Sequence, residues 1–220
     1  MANRKRSRAA RNAHRLKRLL GRERELWGTG IERIAGVDEA GVGPLAGPIV
    51  AAAVIFRSGE GLEGVDDSKK LSAAQRDERA GEIRAAALAW AVVPVDPHEI
   101  DQLNIYQAGL LAMHRAVMEL APAPQRVLVD GRGTIPDLPM QQESVIGGDA
   151  ACHAIAAASI LAKCGRDRLM REYDEAYPGY GFAAHKGYPT AEHRDAIRRL
   201  GPSPIHRRSF RLLPHPRLFD

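Results

Sequence analysis

Apolar residues fall in short runs separated by stretches of helical period. Ile34 to Asp38 is an apolar run ended by a carboxylate and reads as a strand. Leu45 to Phe56, rich in Val, Ile and Ala, is a second strand candidate, with Gly41, Gly43 and Pro44 forming the turn between them. A loop is expected from Arg57 to Leu71. Ser72 and Gln75 then have the spacing of a capping box, which predicts a helix from about Ala73 to Leu88. Ala89 to Val95 is a third strand candidate. Asp96-Pro97 with Glu99 marks another helix start; Ile100, Leu103, Leu110 and Val117 share its apolar face, and Pro122 and Pro124 close it after Leu120. Arg126 to Asp130 and Glu143 to Ile146 read as strands. Ala150 to about Tyr173 predicts a long helix with small residues over much of its surface, which suits close packing. Thr190 to Leu200 is a later helix, and the Pro- and Arg-rich tail from Gly201 is expected to wrap the surface. Strands first, then strands alternating with helices, predict an α/β fold with a mixed central sheet.

Charge divides the chain differently. Residues 1–26 hold ten Lys/Arg against two acids, a net +8, and the rest holds 22 against 25, a net −3. The basic character therefore belongs to residues 1–30, read as an arm with a short basic helix from Arg15 to Trp27, broken by Gly28-Thr29-Gly30. Residues 31–220 are read as one folded body, mildly acidic overall. Basic arms suit nucleic-acid phosphates through counterion release, and equally serve as solubilising tails. No apolar run approaches the roughly 18 residues of a membrane span, and no apolar signal region follows the basic start. No membrane association and a cytoplasmic location are expected. With 45% hydrophobic residues, a full core needs no staples. Cys152 and Cys164 match no zinc spacing and read as two buried thiols.

The candidate chemistry lies in acids at the ends of apolar segments: Asp38 and Glu39 after Val37, Asp130 after Val129, and Asp149 after Gly148. Carboxylates beside glycines suit hard, oxygen-seeking cations. Adjacent strand residues face opposite ways, so Asp38 and Glu39 cannot both point into one site from a regular strand. The separations match no short ligand motif, and Asp130 before Gly131 is also ordinary turn chemistry. Spacing alone leaves both readings open.

The segment Gly36-Val-Asp-Glu-Ala-Gly-Val-Gly-Pro-Leu-Ala-Gly-Pro48 resembles the first motif of the ribonuclease HII family. The resemblance continues through Asp67-Ser-Lys-Lys-Leu71, Pro97-His-Glu-Ile-Asp101, Leu103-Asn104-Ile105, Val129-Asp130-Gly131 and Gly148-Asp149. It runs on through Ala156-Ala-Ala-Ser-Ile-Leu-Ala-Lys163, Arg166-Asp167, Tyr180-Gly-Phe182, His185-Lys-Gly-Tyr-Pro-Thr190 and His206-Arg-Arg-Ser-Phe210. It implies a ribonuclease H-like fold, a central mixed β-sheet flanked by helices with a C-terminal helical portion. It implies an endonuclease that hydrolyses the RNA strand of RNA–DNA hybrids and incises 5′ of ribonucleotides embedded in duplex DNA. The products carry 5′-phosphate and 3′-hydroxyl ends, and the role lies in ribonucleotide excision, DNA replication and repair. It also implies that Asp38, Glu39, Asp130 and Asp149 are the catalytic, metal-binding acids, holding Mg²⁺ or Mn²⁺ for two-metal hydrolysis, with Asp38 bridging the ions. A monomer is expected.

For the substrate, the resemblance assigns the ribonucleotide 2′-hydroxyl to Gly41-Val42-Gly43, the deoxyribose beyond it to Tyr188, and phosphate or backbone contacts to Ser68, Lys69, Lys163 and Lys186. Three positions depart from the family pattern. Val42 replaces the usual Arg, so a cationic phosphate partner is lost while the backbone groups remain. Ala150 stands where Ser is usual after Asp149, with His153 nearby as a possible substitute or a packed histidine. Gly165 stands where Thr is common. Two alternatives remain: another nuclease on the same fold that needs no RNA, which the Tyr188 segment argues against, and a non-catalytic hybrid binder, which the four acids argue against.

Overall fold

The computed structural model describes residues 12–65 and 71–213. Ahead of the sheet, residues 12–19 and α1 (Gly21–Gly28) are helical. Strand β1 (Ile34–Ala40) pairs antiparallel with β2 (Ile49–Ile55); α2 (Ala73–Ala86) follows with the expected capping box, and β3 (Ala89–Val95) pairs antiparallel with β2. Next come α3 (Pro97–Leu103), α4 (Ile105–Met118), β4 (Arg126–Asp130) and β5 (Gln141–Val145); β4 pairs parallel with β1, and β5 pairs parallel with β4. Helices α5 (Gly148–Ala151), α6 (His153–Ala176), α7 (Phe182–His185) and α8 (Ala191–Leu200) follow among the described residues. The five-stranded mixed sheet runs β3-β2-β1-β4-β5, the α/β architecture expected from the sequence. No helix among the described residues is long and apolar enough to cross a membrane.

Every residue of β2 is buried, because helices cover both sheet faces. Ile49, Ala51, Ala53 and Ile55 meet α4 residues such as Ala108, Ala112 and Met113. Ala52 and Val54 meet the alanine-rich side of α6, Ala156 to Ala158 with Leu161. Small side chains on both partners let α6 lie close. The limit is reached at Gly36 on β1: a Cβ there would sit 2.2 Å from the Ala154 carbonyl carbon and 2.3 Å from the Ile155 nitrogen.

The structure corrects several sequence expectations. One helix was expected from Pro97 to Leu120, but Asn104 adopts φ 77°, ψ 160° and splits it. The Asn104 side chain accepts from the amides of Tyr106 and Gln107, capping α4. Leu103 consequently leaves the apolar face and is 40% exposed. The long helix expected from Ala150 is broken at Cys152, whose extended backbone separates α5 from α6. Strand β2 begins at Ile49, since the preceding loop turns to bridge Ala46 with His206. Ile146, expected in β5, is exposed.

The N-terminal segment is integrated from within the expected arm. Leu19, Leu20 and Leu26 are buried, and Leu26 packs with Ile34, Leu128, Cys152 and Ile155. Arg22 pairs with Glu143 on β5. Helix α6 has no side-chain cap of its own; Glu23, buried on α1, accepts from the Ala154 amide at 2.9 Å and does that work from another element. The first eleven residues of the expected arm lie outside the described residues. The tail is docked by Asp101, which accepts from the Arg208 and Ser209 amides.

Replacing Gly36 by Ala forces a methyl into rigid backbone. It is expected to cost about 3 kcal/mol or more, a Tm lower by roughly 6–12 °C, measurable by thermal unfolding. An unchanged Tm would show that α6 can move away freely.

Candidate active site at the carboxyl ends of the central strands

Strands β1 and β4 run parallel with Val37 opposite Val129, so Asp38 and Asp130 arrive together where the strands end. In open α/β sheets that edge is where ligands bind. Asp38 follows Gly36 on the face covered by α6, and Glu39 follows Val37 on the other face. Both nonetheless line one cleft of about 290 Å³, together with Asp130. The strand end resolves the facing problem: Glu39 and Asp130 also border a second hollow of about 200 Å³ on the α4 side, so they stand on the ridge between the two.

Asp38 is buried, and its Oδ1 accepts from the Glu39 amide at 2.7 Å while the Ser159 hydroxyl on α6 also donates to it. Burial, then the charges of Glu39 and Asp130, push its carboxyl well above the usual carboxylate range. Asp130 is half-buried, and its Oδ1 accepts from the Gly148 amide at 2.6 Å. That bond ties β4 to the first turn of α5, which carries Asp149. Asp149 is buried beside this contact and does not line the cleft. Among the described residues, no group of three or more His, Cys, Asp or Glu side chains converges tightly enough to hold an ion as it stands.

The cleft continues past Gly41, Val42 and Gly43 to Lys163, Arg166 and Tyr188. Val42 is 47% and Tyr188 43% exposed, and the Tyr188 ring lies 3.7 Å from where a Gly43 Cβ would be. The loop and the ring thus face each other. Lys163 reaches the wall but pairs with Asp167 at 2.6 Å, and Asp167 also meets Arg76. Lys186 does not line the cleft; its ammonium donates to the Ala183 carbonyl, and burial lowers its pKa. Ser68 and Lys69 lie outside the described residues.

Sequence reasoning missed what holds the glycine loop. Arg166 donates to the carbonyls of Pro48, Lys186 and Ala46 at 3.0, 3.0 and 3.1 Å. Arg207 donates to those of Gly47, Val42 and Gly41 at 2.9, 3.1 and 2.6 Å. Both are fully buried, and burial pulls Arg166 down to about 10 and Arg207 to about 9. Gly41 has φ 106°, and a Cβ there would lie 2.3 Å from Arg166 Nε. Ser159 was missed as well. Its signal was a polar row, Ser159, Lys163, Arg166 and Asp167, recurring at helical spacing on an otherwise apolar helix.

The departures are also resolved locally. His153 is buried, packs on Phe56 at 4.5 Å, and its Nε2 lies 3.1 Å from the Leu62 amide, so it secures a loop rather than serving Asp149. Ala150 is exposed. At Gly165, a Cβ would lie 2.7 Å from Val92 Cγ1, so α6 approaches β3 too closely there for a larger residue without a shift.

The ribonuclease HII family model matches residues 35–213. A ribonuclease HII from an Anaeromyxobacter species is 57% identical over 196 residues, 89% of this chain and 62% of that protein. One from Chlorobium phaeovibrioides is 53% identical over 195 residues, 86% of this chain and 95% of that protein. The ribonuclease H2 of Pyrococcus horikoshii OT3 superposes with a TM-score of 0.70 at 26% identity, covering 82% of this chain and 94% of that one. With a match across nearly the whole described body, and a fold of the same kind, the chain belongs to the ribonuclease HII family of hydrolytic nucleases.

Proposed function

We propose that this protein hydrolyses the RNA strand of RNA–DNA hybrids and incises 5′ of ribonucleotides embedded in duplex DNA, leaving 5′-phosphate and 3′-hydroxyl ends. The observation that carries the reading is the shared cleft: Asp38, Glu39 and Asp130 lie next to a glycine loop and an exposed tyrosine. A hydrolytic corner is thereby joined to a surface able to read a sugar.

The donor set fits hard divalent cations. The described lining holds carboxylates with neither thiolate nor imidazole, and its buried acid is disfavoured as an anion until a cation arrives. Asp38, Glu39, Asp130 and Asp149 would hold the ions, Mg²⁺ or Mn²⁺. Bound there, such ions supply Lewis-acid activation of water and neutralise charge developing on the leaving 3′-oxygen. The protein's own groups prepare the site. Ser159 and the Glu39 amide orient Asp38, and the Gly148 amide fixes Asp130 beside the Asp149 turn.

Recognition divides between backbone and ring. Arg207 takes the Gly41 and Val42 carbonyls from the protein side, so the loop meets a 2′-hydroxyl with a fixed backbone. Tyr188 packs on the deoxyribose that follows, where an aromatic face tolerates the missing hydroxyl. Lys163 and, beyond the described segment, Ser68 and Lys69 serve phosphates, with Lys186 supporting the loop. Basic residues within 1–30 add salt-dependent affinity, residues 31–220 form the catalytic domain, and the chain works as a cytoplasmic monomer.

Asp38→Asn tests the acids in two ways. Cleavage of a duplex with one embedded ribonucleotide is expected to fall at least about a thousandfold with either metal. The same change removes a buried, repelled charge, so Tm in metal-free buffer is expected to rise. The sign follows from the raised folded-state pKa: in the wild type the carboxyl's contribution to stability is lost as pH increases through that value. Added Mg²⁺ or Mn²⁺ should stabilise the wild type and not the variant. Retained cleavage would exclude Asp38 from the chemistry.

Arg207→Lys keeps the charge and loses the fork that spans Gly41, Val42 and Gly47. KM for ribonucleotide-containing duplexes is expected to rise about tenfold or more in steady-state assays. Val42→Arg should restore a phosphate contact and improve cleavage at single embedded ribonucleotides; no gain would mean that the missing cation is supplied elsewhere.

A further inference from the structure

Behind Tyr188, away from the acids, lies a histidine cluster that the proposed chemistry does not use. His193 on α8 and His206 in the tail are both buried, and His185 stacks on His193 with ring centroids 4.3 Å apart. Their protons can be placed, because the bonds begin and end on backbone groups of fixed polarity. The Ser203 amide donates to His206 Nδ1 at 2.9 Å, so that nitrogen carries a lone pair and the neutral ring keeps its proton on Nε2. That proton faces His193 Nε2, 3.1 Å away, which must accept. His193 is left with its proton on Nδ1, which donates to the Tyr188 carbonyl at 2.9 Å. The Ser203 hydroxyl, 2.8 Å from His206 Nδ1, donates alongside its own amide.

The neighbouring bonds agree. The Gly187 amide donates to His185 Nδ1 at 3.1 Å, and His185 Nε2 donates to the Tyr180 carbonyl at 2.7 Å. The backbone so held is an unusual one. Lys186 has φ 53° and Gly187 φ 79°, and a Cβ on Gly187 would lie 2.4 Å from the Ala46 carbonyl oxygen. A turn of this kind persists where surrounding groups fix it. Burial pushes His206 down to about 4 and lowers His193, and the groups facing them, His185 and Arg194, add to that push. The chain of bonds is therefore neutral and singly oriented at neutral pH.

We propose that Ser203, His206 and His193 form a one-way hydrogen-bond relay that positions Tyr188, making the two histidines positioning residues for recognition of the ribonucleotide–deoxyribonucleotide step. The proposal rests on the reading of Tyr188 as the sugar-contacting ring. Its physical content is directional. If His206 cannot donate, His193 Nε2 is left without its proton donor and is free to take up the proton itself. The lone pair then falls on Nδ1, facing the Tyr188 carbonyl, and the last bond is lost.

Two measurements on the full chain test it. Long-range ¹H–¹⁵N correlation on the metal-free protein at neutral pH is expected to show His206 protonated on Nε2 and His193 on Nδ1; the opposite tautomers would overturn the relay. The second compares kcat/KM on a duplex with one embedded ribonucleotide against a uniform RNA–DNA hybrid. His206→Ala is expected to reduce preference for the embedded substrate about tenfold, chiefly through KM, and His206→Gln, whose amide can still donate, should recover most of it. In a Tyr188→Ala background, His206→Ala should change the preference no further. The arms separate the two claims. If Tyr188→Ala leaves the preference intact, the sugar-contact reading falls, and the positioning role with it. If Tyr188→Ala abolishes the preference while His206→Ala keeps it, or lowers both substrates equally alongside Tm, the relay alone is refuted.

Discussion

At Gly36 the backbone of α6 comes so near β1 that a methyl group would overlap the Ala154 carbonyl carbon. That contact fixes the depth at which a 24-residue helix lies across the sheet. Everything the helix carries is placed by it. Ser159 reaches Asp38, Lys163 reaches the cleft wall, and Arg166 lies under the loop from Ala46 to Pro48. Its N-terminus is met by Glu23 from α1, and its preceding turn presents Asp149 beside Asp130. Two alanine-rich surfaces and one glycine thus do what a larger core could not: they bring a polar helix face within hydrogen-bonding distance of a strand end.

The electrostatics of the site follow from the same closeness. Acids are gathered at the carboxyl ends of β1 and β4, while the nearest buried guanidiniums are spent on backbone carbonyls. Lys163 is neutralised by Asp167. Asp38 is therefore surrounded by burial and like charge, with hydrogen bonds from Ser159 and the Glu39 amide as partial relief. Such an arrangement is unfavourable by itself, and it is of the kind that a bound cation would relieve. Ionisation of Asp38 and the stability of the fold pull in opposite directions.

The sequence made local features legible and left cross-chain ones hidden. The strands, the Ser72–Gln75 box and the acids at apolar ends could be read because each is encoded within a few residues. The break at Asn104 was not, because apolar spacing continues on both sides of it, and only the backbone reveals the left-handed turn. The break at Cys152 was hidden by small residues that fit either conformation. Arg166 and Arg207 stand in recognisable motifs, but arginine is ordinarily a surface residue, and all but one of their carbonyl partners, Lys186 excepted, lie more than a hundred positions away. The role of α1 was obscured by its charge: a net-basic segment read as an arm, although Leu19, Leu20, Glu23 and Leu26 are buried.

The departure at Val42 becomes intelligible once the loop's backbone and its side chains are considered separately. Its backbone is clamped by Arg207 and Arg166 through carbonyls, and carbonyls are common to every residue type. The side chain at position 42 points away from that clamp and is nearly half exposed. The side chain at position 42 can therefore change without moving the backbone of the loop. The reverse does not hold. Gly41 is excluded from carrying any side chain by Arg166 and by the Pro48 carbonyl oxygen, and its positive φ excludes it again. Variation is permitted where only an exposed side chain changes, and forbidden where the main chain itself has no room for one.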